Sequence, residues 1–266
     1  MSLSVYCDTD DWSTTVNQIT NEYPEFKNMD MHIDLNCISN NRKKINCLIL
    51  QESPAILELR NILQFVKTEE CSLKYNKVYT CIKELLHLPY VEYIHPSNIT
   101  WIKNKSFLPK KTKMISMISS NNSAVAGHRL RLSVLETVKN FVDVYGRGFN
   151  QIENKEQGLV DYYYSISIEN DNTDNYFSEK LLDCFLTCTI PIYWGSTFPY
   201  TIFNPDGIIN LCTVEKPNDL KLLDKHFYNK KIDAIVDNFF IAEKENRYLS
   251  NTLKQILLKF YNEHNK

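Results

Sequence analysis

Apolar and polar positions fall into short blocks along this chain, and the blocks predict strands alternating with helices. Residues 45–50, Ile-Asn-Cys-Leu-Ile-Leu, form a near-continuous apolar run, the pattern of a parallel strand buried on both faces. Gln51-Glu52-Ser53-Pro54 follows, and then residues 55–66 take up helical spacing. Residues 77–86 mix strand and helix cues and stay open. The later part is clearer: a strand at 113–118, a polar loop at 119–127, a helix at 128–141 and a strand at 142–145 that stops at Gly146-Arg147-Gly148. A second strand-helix-strand unit spans 164–195: a strand to Asn170, a polar loop, a helix capped at Ser178, and a buried strand at 190–195. Such alternation predicts an α/β fold with parallel sheets and right-handed crossovers. Ligands in such sheets bind beyond the carboxyl ends of the strands, the ends from which the helices bearing Arg131 and Lys180 are entered. At the C-terminus, Leu249, Leu253, Ile256, Leu257 and Phe260 share one helical face within 247–266, a stripe expected to pack on the body of the protein.

Composition sharpens the division of labour. The six glycines of the 266-residue chain all lie between Gly127 and Gly207, so tight turns and close backbone approaches belong to the second part. A lysine-rich stretch with a proline, residues 101–113, reads as a solvated interdomain connection. The expected domains are 1–110 and 111–266, the last helix being free to pack back on the first. A net charge of −2 gives no global basic field and argues against a nucleic-acid partner. No apolar run approaches the roughly 20 residues of a membrane span, and the first residues lack the order of a signal peptide, so a soluble, cytoplasmic chain is expected. The eight cysteines form no C-x-x-C pair and several sit in apolar runs, which points to reduced, buried thiols rather than disulfides or zinc.

Few residues carry recognisable chemistry. Helix starts expose unpaired N–H groups and the positive end of the macrodipole, which suits phosphate. Glu179 in the first turn after Ser178 is an ordinary choice there. Lys180 is not, because a cation at that end costs about 0.3–1 kcal/mol unless an anion answers it. Arg131, early in a neighbouring helix, offers a bidentate clamp on the same anion. Glu52, just past a buried strand, suits a general base; by spacing alone it serves equally as a helix cap or first-turn carboxylate. Asp8-Thr9-Asp10 matches a D-x-D metal-binding pattern, a weak signal, and the carboxylates of Asp171 and Asp174 read as solvated loop residues. The absence of P-loop, G-x-G-x-x-G and G-x-S-x-G patterns excludes the usual ATPase, dehydrogenase and serine-hydrolase readings.

Taken together, Ile168-Glu169-Asn170, Tyr176-Phe177-Ser178-Glu179-Lys180 and Ile190-Pro191-Ile192-Tyr193-Trp194-Gly195 resemble, in order and spacing, the core motifs of the glycosyltransferase family ten fucosyltransferases. Phe203-Asn204-Pro205, Ser119, Asn121, Arg129, Arg131 and the segment 142–147 fit the same pattern, and Glu52-Ser53-Pro54 is similar to that family's E-S-P segment. The resemblance covers about residues 113–215 and, more thinly, 45–112. It implies a GT-B architecture of two Rossmann-like domains facing a cleft, GDP-fucose as donor, a glycan acceptor and inversion at the anomeric carbon. It further implies Glu52 as general base, Arg131 and Lys180 on the diphosphate, Glu179 on ribose hydroxyls, and Asn170 and Tyr176 lining the donor site. No cofactor is required; a divalent metal is compatible with this scheme but not implied. Alternatives are the same fold with another GDP-sugar, or a non-catalytic sugar-nucleotide or glycan-binding module. Two departures stand out: Ser178 replaces a threonine, and Thr187-Cys188-Thr189 stands where many members have a small residue and glycine.

Overall fold

The computed structural model describes residues 3–7, 13–96, 100–245 and 249–264. Its contacts divide the chain into two units, Met1–Ser97 with Arg247–Lys266, and Asn98–Asn246.

The first unit is built on five parallel strands in sequential order: β1 (Ser4–Tyr6), β2 (Met31–Leu35), β3 (Ile45–Leu50), β4 (Lys77–Thr80) and β5 (Val91–Tyr93). Helices α1 (Ser13–Glu22), α2 (Leu57–Val66) and α3 (Glu69–Lys74) lie in the connections. Every residue of β3 is buried, as its apolar run predicts. The ambiguous stretch 77–86 resolves into β4 followed by a 3-10 turn, Lys83–Leu85. β2 is fully buried despite carrying His32 and Asp34, because the two satisfy each other at 2.9 Å. Tyr75 donates its hydroxyl to the same carboxylate and the Ser39 amide donates to it at 3.1 Å.

The second unit is also a five-stranded parallel sheet, formed by β6 (Lys113–Ile118), β7 (Asp143–Tyr145), β8 (Tyr162–Ile168), β9 (Ile190–Trp194) and β10 (Ile209–Asn210). Across the sheet the order is β10-β9-β8-β6-β7. The chain therefore winds outward from β6 to β7, then crosses back to place β8 on the other side of β6. Helices α4 (Ala126–Val138), α5 (Glu179–Phe185), α6 (Lys225–Lys230) and α7 (Ile232–Glu245) accompany it. Its core runs through Met117, Ile166, Ile168, Leu181, Leu182, Ile190 and Ile192, all 2% exposed or less. The final helix, α8 (Leu249–His264), belongs to the first unit, where Leu253, Ile256, Leu257 and Phe260 join Ile33, Ile49 and Tyr79 in one buried cluster.

The stretch 101–113 is largely exposed but is anchored to the second unit at several points. Ile102 is buried against Leu159 and Cys184. The Trp101 amide donates to Asp183 at 2.8 Å and the Ser106 amide to the Leu186 carbonyl at 3.0 Å. The Lys111 ammonium is buried and donates to the Val160 and Thr187 carbonyls and to the Thr189 hydroxyl, at 2.7–3.0 Å. Burial pushes its pKa down to about 7. Composition marks this segment as polar, but its donors find fixed acceptors inside the second unit. No helix among the described residues is long and apolar enough to cross a membrane.

Candidate functional site

The reversal of strand order between β6 and β8 opens a crevice at their carboxyl ends, the place where doubly wound sheets receive ligands. A cavity of about 370 Å³ lies there, within the range typical of small-molecule sites. Its floor is Ile118, Ser119, Ser167 and Ile168 at the strand ends. Its walls bring Arg131 from α4, Glu179, Lys180 and Asp183 from α5, and Lys155 and Trp101 from the flanking loops.

Backbone packing fixes where these side chains stand. Gly127, in the first turn of α4, lets that helix end touch the end of β8; a Cβ there would sit 1.8 Å from the Glu169 carbonyl oxygen and 2.8 Å from that of Asn170. Four residues on, Arg131 is buried, donating through Nε to the Ile168 carbonyl and through an Nη to Asn170 Oδ1, both at 2.8 Å. Burial lowers its pKa, but a guanidinium remains charged. Arg131 thus spends two donor groups on structure and still lines the cavity.

Helix α5 is anchored by a residue the motif contains but to which the sequence reading gave no role. Glu169, fully buried, accepts from the Ser178 amide at 2.8 Å and the Ser178 hydroxyl at 2.6 Å. Ser178 caps the helix, its oxygen accepting from the Lys180 amide at 3.5 Å and the Lys180 ammonium at 2.8 Å. The Ser178 and Lys180 amides of the expected helix-start cluster are therefore already engaged by side chains of the protein. Lys180 lies 3.3 Å from Glu169 Oε2 and 3.5 Å from Glu179 Oε1, and its side chain, 23% exposed, still faces the cavity.

Glu179 and Asp183 are one helical turn apart, a like-charge pairing that needs a cation. Lys155 supplies it, at 3.2 Å from Glu179 and 2.6 Å from Asp183, with Trp101 beneath its ammonium at 5.1 Å. Asp183 also accepts from the Thr100 hydroxyl at 2.6 Å. The i,i+4 acidic pair was a visible signal of this cluster; Lys155 and Trp101 gave none, since their approach is purely tertiary. The lining thus holds three cations and two carboxylates.

Burial tends to raise the Glu179 carboxyl, but the Lys180 and Lys155 ammoniums override it and hold the pKa at about 2, against an ordinary 4.5. A depressed carboxylate stabilises the fold above its unfolded pKa and loses that contribution as pH falls through the folded one. Unfolding midpoints should therefore drop between about pH 4.5 and pH 2, by an amount worth at most roughly 3 kcal/mol. Glu179→Gln should flatten that limb in thermal melts followed by circular dichroism. Parallel curves for the two proteins would contradict the assignment.

The structure therefore gathers Arg131, Glu179 and Lys180 around one cavity and sets Asn170 behind Arg131 as its hydrogen-bond partner. Tyr176 is 4% exposed and is not among the residues lining the cavity; its carbonyl accepts from the Ser196 hydroxyl at 2.6 Å. Glu52 lies in the first unit, exposed, two residues beyond β3. The N-cap position of α2 is Ile56, and the Glu52 amide donates to Asn36 Oδ1 at 3.3 Å. Among the described residues no group of His, Cys, Asp and Glu is arranged to hold a metal ion, and Asp8-Thr9-Asp10 lies outside them.

Residues 108–228 match the family model described as "Glycosyltransferase family 10 (fucosyltransferase) C-term". A curated relative, alpha-(1,3)-fucosyltransferase FucT of Helicobacter pylori, is 29% identical over 151 residues, a match covering 54% of this chain and 31% of the relative. The chain thus spans about a third of that relative's length. A crystal structure of an alpha1,3-fucosyltransferase with GDP superposes with a TM-score of 0.56 at 16% identity, covering 98% of this chain and 89% of that one. A crystal structure of an alpha1,3-fucosyltransferase with GDP-fucose gives a TM-score of 0.53, also at 16% identity, over 90% and 81%. The fold is that of the GT-B fucosyltransferases.

Proposed function

We propose that this chain, which is family-ten fucosyltransferase-like, transfers fucose from GDP-fucose to a hydroxyl of a glycan acceptor with inversion at the anomeric carbon. The observation that carries the reading is the meeting of Arg131, Lys180 and Glu179 in one cavity at the switch point of the second sheet. As the bond between the sugar and GDP breaks, negative charge grows on the β-phosphate. Arg131 and Lys180 are fixed by neighbours before any ligand arrives, so they stabilise that charge without reorganising. Glu179, ionised at any physiological pH, can only accept hydrogen bonds, which fits it to ribose hydroxyls. Asn170, which also orients Arg131, and Tyr176 would line the donor site. Glu52 would take the proton of the attacking acceptor hydroxyl. The names of the solved relatives, one with GDP and one with GDP-fucose, support the donor assignment.

The test is GDP binding by calorimetry in the wild-type chain and in Lys180→Ala. Losing one charge-assisted contact should weaken GDP by about 10- to 100-fold. Unaltered affinity would refute the diphosphate role. Hydrolysis and transfer assays with GDP-fucose, GDP-mannose and GDP-rhamnose in parallel then identify the donor sugar, since GDP binding alone would fit any of them.

A further inference from the structure

The cavity at the switch point changes character along its length. Arg131 and Lys180 make one part of the lining cationic. Elsewhere in the lining, Ile118, Leu159 and Cys184 cluster with buried Ile102, the neighbour of Trp101, and Trp101 lines the cavity itself. Successive contacts join the two parts. Lys180 Nζ lies 3.5 Å from Glu179 Oε1, the same oxygen lies 3.2 Å from Lys155 Nζ, and that ammonium stands 5.1 Å from the centre of the Trp101 ring. Cation, carboxylate and aromatic ring thus follow one another in the order that diphosphate, ribose and base take in a nucleoside diphosphate.

Packing does not account for Trp101. The residue is 66% exposed, more than any tyrosine or phenylalanine among the described residues. An indole left in water forgoes most of the burial that so large an apolar side chain normally contributes. Its backbone is nevertheless fixed on both sides. The Thr100 hydroxyl and the Trp101 amide both donate to Asp183 Oδ1, at 2.6 Å and 2.8 Å, and Ile102 is 5% exposed. The Lys155 ammonium covers one side of the ring. A ring mounted this firmly at the edge of a cavity stacks a flat partner with little further loss of side-chain freedom.

We propose that the Trp101 indole is the stacking surface for the guanine base of GDP; that the nucleotide is GDP rests on the transferase reading above. Every nucleobase presents a π face, so the indole supplies affinity rather than the choice of base. Trp101 lies outside the matched segment 108–228, so the assignment comes from this cavity and not from the family motifs.

The experiment titrates the full chain and its Trp101→Ala, Trp101→Phe and Lys180→Ala variants with GDP, inorganic pyrophosphate and guanosine, by calorimetry and saturation-transfer NMR. Trp101→Ala should weaken GDP and guanosine about 5- to 100-fold and leave pyrophosphate within about twofold. Trp101→Phe should recover most of the loss. Unaltered GDP affinity in Trp101→Ala would overturn the proposal. Equal loss of GDP and pyrophosphate would overturn it too, by showing that the indole only holds Lys155 and Glu179 in place. GDP binding that depends on Lys180 but ignores Trp101 removes the stacking surface alone. Guanosine binding that depends on Trp101, with GDP affinity untouched by Lys180→Ala, removes the diphosphate reading alone. No binding of GDP or guanosine removes both.

Discussion

Replacing Glu52 with glutamine is expected to lower fucosyl transfer by about 10²–10⁴-fold, the usual worth of a positioned general base, with GDP affinity changed by less than about twofold. The substitution keeps size and hydrogen-bonding capacity and removes only the ability to accept a proton. The backbone of the loop around it has anchors of its own. Asn36, in the left-handed region at φ 54°, accepts through Oδ1 from the Gln51 amide at 2.8 Å and the Glu52 amide at 3.3 Å. Ser53 is fully buried and its hydroxyl accepts from the Ala55 amide at 3.1 Å. The variant should therefore fold normally, and kcat and GDP binding can be compared directly. Equal loss of both would show that Glu52 acts through the fold or the donor rather than on the acceptor hydroxyl.

The largest structural effect is expected from Gly127→Ala. The added methyl would overlap the Glu169 carbonyl oxygen at 1.8 Å and the Asn170 carbonyl carbon and oxygen at 2.8 Å. These are backbone atoms, so no side-chain rotation relieves the clash, and α4 must move away from the end of β8. A cost at or above the top of the usual overpacking range, about 3 kcal/mol, corresponds to a melting-point drop of roughly 6–12 °C for a chain of this size. The same shift pulls Asn170 from Arg131, so GDP affinity should fall together with stability. A variant with wild-type melting temperature and GDP affinity would mean that the contact between α4 and β8 is slack.

Several features were legible because they depend on neighbours in sequence. The buried strand β3 follows from an apolar run, the cap at Ser178 from residue type and position, and the alternation of strands and helices from the period of the pattern. Boundaries drifted by a few residues where tertiary contacts extend an element. Helix α4 begins at Ala126, ahead of the expected 128, because Gly127 can dock on Asn170. The departure at Thr187-Cys188-Thr189 also becomes intelligible. Cys188 has φ 50°, the Thr189 amide donates to the Cys184 carbonyl and the Cys188 amide to that of Phe185, the pattern of a helix end that favours glycine. A non-glycine residue there costs roughly 1–2 kcal/mol. Its thiol sulfur accepts from the Leu108 amide at 3.3 Å, a contact glycine could not make.

Other features were hidden because their causes are distant in sequence. β2 offers no clean apolar run, since His32 and Asp34 interrupt it; the strand is buried only because Tyr75 and Ser39 arrive to complete their hydrogen bonds. The segment 101–113 reads as solvated by composition and is largely exposed, yet Ile102 and Lys111 are buried, Lys111 through acceptors as far along the chain as Thr189.

By itself the sequence determined the alternating α/β order, the apolar strands and the capped helix bearing Glu179 and Lys180, because hydrophobic period and capping chemistry act over a few residues. Only the tertiary structure decided that α4 and α5 meet over one crevice, that Glu169 and Lys155 complete the charges there, and that the Ser178 and Lys180 amides are already taken. Those outcomes depend on strand order and on contacts between distant segments, which burial and charge pairing select only once the chain has closed on itself.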